Sequence, residues 1–129
     1  MHNDMQMDVA HFMTACEQKV WQTPLAVQSD TASLYLNLIE EEYKELLKGV
    51  AEEDIIQIAD GIGDLIWVIL GLANTHGINI TPVWEEIRAS NMSKTVDGNV
   101  IRRADGKILK PDTYFPPNIA KALGLGDSQ

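Results

Sequence analysis

Two pairs of carboxylates stand out by type and spacing. Glu42 and Glu45 sit three apart in an acidic run that also holds Glu40 and Glu41, and Asp60 and Asp64 sit four apart further along. Residues three or four apart share a helix face. Leu34, Leu38, Glu42, Glu45 and Leu46 fall on one stripe, so Glu42 and Glu45 continue a face that leucines bury. Glu41 lies at the edge of that face, about 100° round the axis from Glu42, and Glu40 points further out. Gln57, Asp60, Asp64, Trp67 and Gly71 make a second stripe at heptad-like spacing. Two like charges on a largely apolar helix repel and lose hydration, so something positive must sit between them. Lys44 and Lys48 point to other faces of their helix and do not supply it. Oxygen ligands drawn from two helices suit a hard cation, Mg²⁺ or Mn²⁺. An acidic run is ordinarily a solvated face, and Asp60 alone could cap a helix or pair with Arg88. The two sets together favour a metal, because both lie on faces that also carry core residues. A di-iron carboxylate site would need Glu-x-x-His pairs. Of His2, His11 and His76, none lies three residues after a glutamate.

Four helices are needed to position these groups. Val9, Phe12, Met13, Cys16 and Val20 predict the first, from about Val9 to Trp21, with Pro24 barring its extension and Cys16 on its apolar stripe. The second is expected over Asp30–Lys48, with Ser29, Asp30 or Thr31 as N-cap and Gly49 as C-terminal stop. The third spans about Glu53 to Thr75, with acidic residues at its positive end and Gly77 just past it. The fourth runs from Pro82 to about Asn91 with Thr81 as N-cap. The third is apolar nearly all round, so it should be buried on most sides. Three neighbours barely supply that cover, which points to a homo-oligomer, dimer or tetramer, completing the bundle. Gly61, Gly63 and Gly71 disfavour helix and mark expected points of close approach. Past Ser93 the pattern changes. Asp97-Gly98 and Asp105-Gly106 are tight-turn signals beside Val100, Ile101, Ile108 and Leu109, consistent with a short hairpin, and Asn118–Leu123 reads as a last short helix.

The expected class is therefore all-α, a single domain over residues 1–129 with a helical core (9–92) and a loop or hairpin tail (93–129). At 129 residues and 45% hydrophobic the chain is long and apolar enough for a core. Its net charge of −9 argues against a nucleic-acid polymer or an anionic membrane as partner. A small phosphorylated ligand stays open, because a cation can bridge it to an acidic protein. The apolar stretch Ile55–Ala73 carries Asp60 and Asp64, which favours a buried bundle helix over a membrane span. One cysteine makes neither a disulfide nor a multi-cysteine zinc site, and Met1–Asp8 has no signal-peptide pattern, so a reduced, cytoplasmic setting is expected.

Glu41-Glu42-Tyr43-Lys44-Glu45 matches an E-E-x-x-E helix motif, and Asp60-Gly61-Ile62-Gly63-Asp64-Leu65-Ile66-Trp67-Val68 resembles the acidic start of a partner helix. Ser90-Asn91-Met92-Ser93-Lys94 resembles a following basic and amide segment, and Asp105-Gly106-Lys107 with Tyr114-Phe115-Pro116-Pro117 a trailing tail. Together, over roughly Asp30 to Pro117, these resemble the all-α nucleoside triphosphate pyrophosphatase (MazG-like) superfamily, in its phosphoribosyl-ATP pyrophosphohydrolase-like branch. Much of that superfamily carries E-x-x-D on the partner helix, where this chain has an aspartate and one extra residue of spacing. The resemblance implies Mg²⁺-dependent cleavage of a nucleoside triphosphate between its α and β phosphates, giving a monophosphate and pyrophosphate. Glu42, Glu45, Asp60 and Asp64 would hold the metal, and Glu41 or Glu45 would act on water. Carried over from the family segments, Asn91 and Lys94 would hold phosphate oxygens, with Lys107 and Tyr114 closing over them. Lys94 could also simply answer the negative end of its helix. Trp21 could stack on a base, or merely pack. His11 and His76 have no evident partner. The alternatives are a non-catalytic helical module that keeps the fold, or an enzyme for a non-canonical nucleotide such as phosphoribosyl-ATP.

Overall fold

The computed structural model describes residues 4–126; His2 and both ends of the expected 1–129 domain lie outside them. Among the described residues the order is α1 (Asp4–Ala15), α2 (Asp30–Ala51), α3 (Ile55–Thr75), α4 (Ile80–Met92), β1 (Ile101–Arg102), β2 (Ile108–Leu109) and α5 (Ile119–Ala122). The fold is all-α. The chain parts into two compact units, one ending at Ile80 and one beginning at Thr81.

In the first unit, α2 and α3 form a helical hairpin. Ser29 is the N-cap of α2, its side chain accepting from the Ala32 N–H. The expected stop at Gly49 is not used: α2 runs on to Ala51, and Glu53, at φ 52°, makes the turn. Asp54 then caps α3, its carboxylate accepting from the Ile56 and Gln57 N–H groups at 3.1 and 3.2 Å. That cap answers the positive helix end from outside it, so Glu53 is not a helical residue. Gly49 is instead a contact point, because a Cβ there would lie 2.9 Å from Gln57 Cγ. Gly61 lets α3 approach Leu46, and Gly71 faces the Tyr35 ring, where a Cβ would meet Cε1 at 2.1 Å. Gly63 departs from expectation: a Cβ there would meet nothing within 4 Å.

Helix α1 starts and ends earlier than its periodicity predicts. It closes when Glu17 adopts φ 60° and the Gln18 N–H bonds back to Met13 O at 2.9 Å, a reversal made without glycine. Cys16 therefore falls beyond the helix and is exposed rather than in the core. The core joins Val9, Met13, Tyr35, Val68 and Leu70, with Leu38, Ile39, Leu72 and Ile80 packed against it. A buried polar knot closes one end. Gln6 Nε2 donates to Asn74 Oδ1 (3.0 Å) and Ile78 O (2.6 Å), while its Oε1 accepts from the Ile80 N–H (2.9 Å). Helix α1 packs against α3, as does α2, and within the first unit a third side of α3 stays exposed among the described residues. Ile55 and Ile56 are 73% and 80% exposed, and Ile62, Ile66 and Ile69 are exposed as well, so burial on most sides is not reached. By length and composition α3 would suffice to cross a membrane.

In the second unit, Ser90 on α4 is buried and its Oγ donates to Phe115 O at 2.8 Å, tying the extended tail to the helix. Asn118 accepts from the Lys121 N–H to cap α5, and its own N–H donates to Glu86 Oε1 at 2.8 Å. The expected hairpin forms, β1 pairing antiparallel with β2 in the register Ile101↔Leu109 and Arg102↔Ile108. Before it, Asp97 and Gly98 both take positive φ between the bridged Val96 and Asn99, the backbone that a two-residue I′ turn requires.

Candidate metal and active site

The spacing of α2 and α3 brings Glu42, Glu45, Asp60 and Asp64 into one neighbourhood. Glu42 is part-buried, and its Oε2 is buried with no hydrogen-bond partner. Burial first, then the charges of Asp64 and Glu45, push the Glu42 carboxyl above its ordinary value. Asp64 is pushed up by burial and next by Asp60. The four carboxyls thus interact in a chain, Glu45–Glu42–Asp64–Asp60, with Glu42 and Asp64 innermost. No group of three or more Asp, Glu, His or Cys among the described residues is drawn together at metal-ligating range. The contacts among the four are pairwise. A buried, unpartnered carboxylate oxygen between two like charges is what a divalent cation would satisfy, and the all-oxygen set fits Mg²⁺ or Mn²⁺. Glu41 is exposed, away from the inner pair.

Beside Glu45 opens a polar cleft of about 160 Å³ lined by Lys48, Glu52, Asp54 and Gln57. This corrects the reading that Lys48 points elsewhere: three residues past Glu45, it shares the same cleft. Its signal was present in the i,i+3 spacing. Lys44 does turn outward, to Glu40 at 3.1 Å.

In the second unit Lys94 Nζ donates to Asn91 Oδ1 at 3.1 Å, so two of the residues expected to hold phosphate stand together at the end of α4. Lys107 and Tyr114 do not join them. Lys107 is exposed in the hairpin, where its N–H bonds Asp105 Oδ1, and Tyr114 carries Lys110 Nζ 4.8 Å from its ring centroid. The Arg103 guanidinium beside Asp105 holds that carboxyl below its ordinary value. Trp21, in the first unit, is half-buried. Its N–H donates to Asn74 O, and Lys19 Nζ sits 4.0 Å from its ring centroid. His76 has a partner after all: its Nδ1 lies 3.1 Å from Leu25 O.

The model of the phosphoribosyl-ATP pyrophosphohydrolase family matches residues 9–91, which takes in α2, α3 and all four inner carboxylates. The chain belongs to this family. The matched segment is most of the chain and stops at Asn91, short of Lys94 and the hairpin. The chain is also similar to an uncharacterized protein of Acanthamoeba polyphaga mimivirus, 40% identical over 50 residues. That stretch is 39% of this chain and 20% of the viral protein, so the similarity spans about a fifth of the relative's length.

Proposed function

We propose that the chain is a divalent-metal-dependent nucleotide pyrophosphohydrolase, cleaving a nucleoside triphosphate between its α and β phosphates. The carrying observation is the orphaned Glu42 Oε2, buried between Asp64 and Glu45 on the two helices that the family match covers. Glu42, Glu45, Asp60 and Asp64 would hold Mg²⁺. When bound, the cation neutralises phosphate charge and lowers the pKa of water. The protein's own part is to fix the carboxylates on rigid helices and to take up a proton. Water attacks the α phosphorus, the bond to the bridging oxygen breaks, and pyrophosphate leaves with that oxygen. Glu45 is exposed at the mouth of the polar cleft and is suited to accept the proton released by the attacking water. Glu41, further out, is the second candidate for that role. Lys48 in the cleft, and Lys94 with Asn91, offer donors to phosphate oxygens. The family's own name keeps phosphoribosyl-ATP among the substrates to be tested.

A second copy of the chain would cover Ile55, Ile56, Ile62 and Ile69 of α3, whose removal from water is the natural driving force for association. That reading places α3 inside a helical assembly rather than a bilayer, where Asp60 and Asp64 would be costly. The test of the activity is pyrophosphate release from nucleoside triphosphates and phosphoribosyl-ATP, with Mg²⁺ and with chelator. Metal-dependent release with a monophosphate co-product is expected. Absence of release from every substrate by well-folded protein would leave the non-catalytic reading.

A further inference from the structure

A second cavity lies in the first unit, outside the carboxylate cluster. It measures about 170 Å³ and is lined by Asp8 and Val9 of α1 and by Gly63, Ile66, Trp67 and Leu70 of α3. An apolar cavity of about 150 Å³ accommodates a benzene ring, so this one takes one ring of a heteroaromatic base, and a second fused ring would extend through its open side. Phe12 packs edge-on against Trp67, with centroids 5.6 Å apart at 72°, and so holds the indole in place. Asp8 brings the one carboxylate of the lining, and its side chain has no partner among the described residues.

Gly63 adds an independent observation. Glycine weakens a helix interior, and Gly49, Gly61 and Gly71 each have a close neighbour that excludes a Cβ. Gly63 has none, and the space it leaves open belongs to this cavity. The position along α3 is also telling. Gly63 is one turn past Asp60, and Trp67 one turn past Asp64. At about 1.5 Å of rise per residue, the middle of the Gly63–Leu70 stretch lies roughly 7 Å along the axis from the middle of the aspartate pair. A ribose sets about that separation between an α-phosphate and its base.

We propose that this cavity holds the base of the nucleotide, and that the base is guanine. The phosphate end of this placement rests on the pyrophosphohydrolase reading. The choice of base rests on Asp8. A carboxylate accepts hydrogen bonds and donates none. Guanine presents two adjacent N–H donors, at N1 and the 2-amino group, which match its two oxygens as a bidentate, charge-assisted pair. Uracil and thymine flank their ring N–H with carbonyls that repel a carboxylate. Adenine and cytosine set an amino group beside a ring-nitrogen acceptor. The Trp67 ring supplies an aromatic surface for the base.

The test is binding of GMP and UMP, followed by tryptophan fluorescence of the full chain, so that no turnover is needed. GMP should quench with a Kd at least tenfold below that of UMP, and Trp67→Phe should remove the GMP-dependent quench. Asp8→Ala should weaken GMP about tenfold, the loss expected for hydrogen bonds to a charged acceptor, and leave UMP unchanged. Gly63→Leu, which fills the cavity, should abolish GMP binding while its unfolding midpoint stays at or above that of wild type. Equal affinity for GMP and UMP, or unaltered GMP binding in Asp8→Ala, overturns the proposal. Pyrophosphate release with no base preference overturns it too, and leaves the pyrophosphohydrolase reading standing. GMP-selective binding with no release from any nucleotide does the reverse.

Discussion

Glu42→Gln is the most informative perturbation of the candidate metal site. The amide keeps the shape of the side chain and removes one charge from the Glu45–Glu42–Asp64–Asp60 chain. Two unit charges about 4 Å apart repel by about 4 kcal/mol at an effective dielectric of 20. Glu45 and Asp60 are exposed, and Glu42 and Asp64 only part-buried, so solvent screens most of this. About 1 kcal/mol of relief is expected in metal-free protein, a rise in Tm of about 4 °C for a domain of this size. The sign with pH follows from the raised Glu42 carboxyl. A carboxyl raised on folding favours the fold while protonated and loses that contribution as pH rises through its folded value. The penalty therefore grows as pH rises from the ordinary value of 4.5 through the raised folded value, and the advantage of Glu42→Gln should vanish as pH falls below 4.5. With Mg²⁺ the order should invert, because wild type gains binding energy that the variant has lost. Thermal unfolding of both proteins at pH 7 and pH 4, with chelator and with a Mg²⁺ series, reads all of this. If Glu42→Gln is less stable than wild type in chelator at pH 7, or gains as much from Mg²⁺, the electrostatic account of the site is wrong.

Gln6→Ala should cost about 3 kcal/mol, since it strands the buried Asn74 carboxamide together with the Ile78 carbonyl and the Ile80 N–H; urea unfolding at constant m-value checks it. Gly71→Ala should cost a similar amount, about 3 kcal/mol, by driving a methyl into the Tyr35 ring. Combined with Tyr35→Ala it should be markedly less than additive in a double-mutant cycle. Lys94→Ala should leave the unfolding midpoint within about 1 °C of wild type, because it loses only a surface contact to Asn91. Its KM for a nucleoside triphosphate should nevertheless rise about tenfold in a pyrophosphate-release assay.

Where periodicity was strong, the sequence was readable. The 3.6-residue stripes of α2 and α3 set both helices and put the four carboxylates on facing sides, and Asp97-Gly98 declared its turn through backbone chemistry alone. The errors have physical causes. Glycine was read as punctuation at Gly49, but inside a hairpin of packed helices its smallness outweighed its freedom. Conversely, two reversals were made by Glu17 and Glu53, residues that carry no turn signal and are held at positive φ by the hydrogen bonds around them. The start of α1 was missed because Gln6 is buried yet polar, and a hydrophobic pattern does not register a residue whose burial is secured by hydrogen bonds. Lys48 was misplaced although its i,i+3 spacing from Glu45 puts both on one side of α2. The Asp8–Trp67 cavity depends on two segments more than fifty residues apart and left no local mark.

The Gln6 knot also has a meaning in time. Its partners lie up to 74 residues downstream, and a ribosome adds about 5–20 residues per second. The first helix must therefore wait about 4–15 s after it is made before the chain that fastens it exists. For most of that interval Val9 and Met13, which end up buried in the finished molecule, have Tyr35 but not Val68 or Leu70 to rest on. A nascent chain stalled before Val68 would present them to chaperones. The commitment of this unit to its fold is thus set by the arrival of Asn74 to Ile80 rather than by the strength of any helix before them.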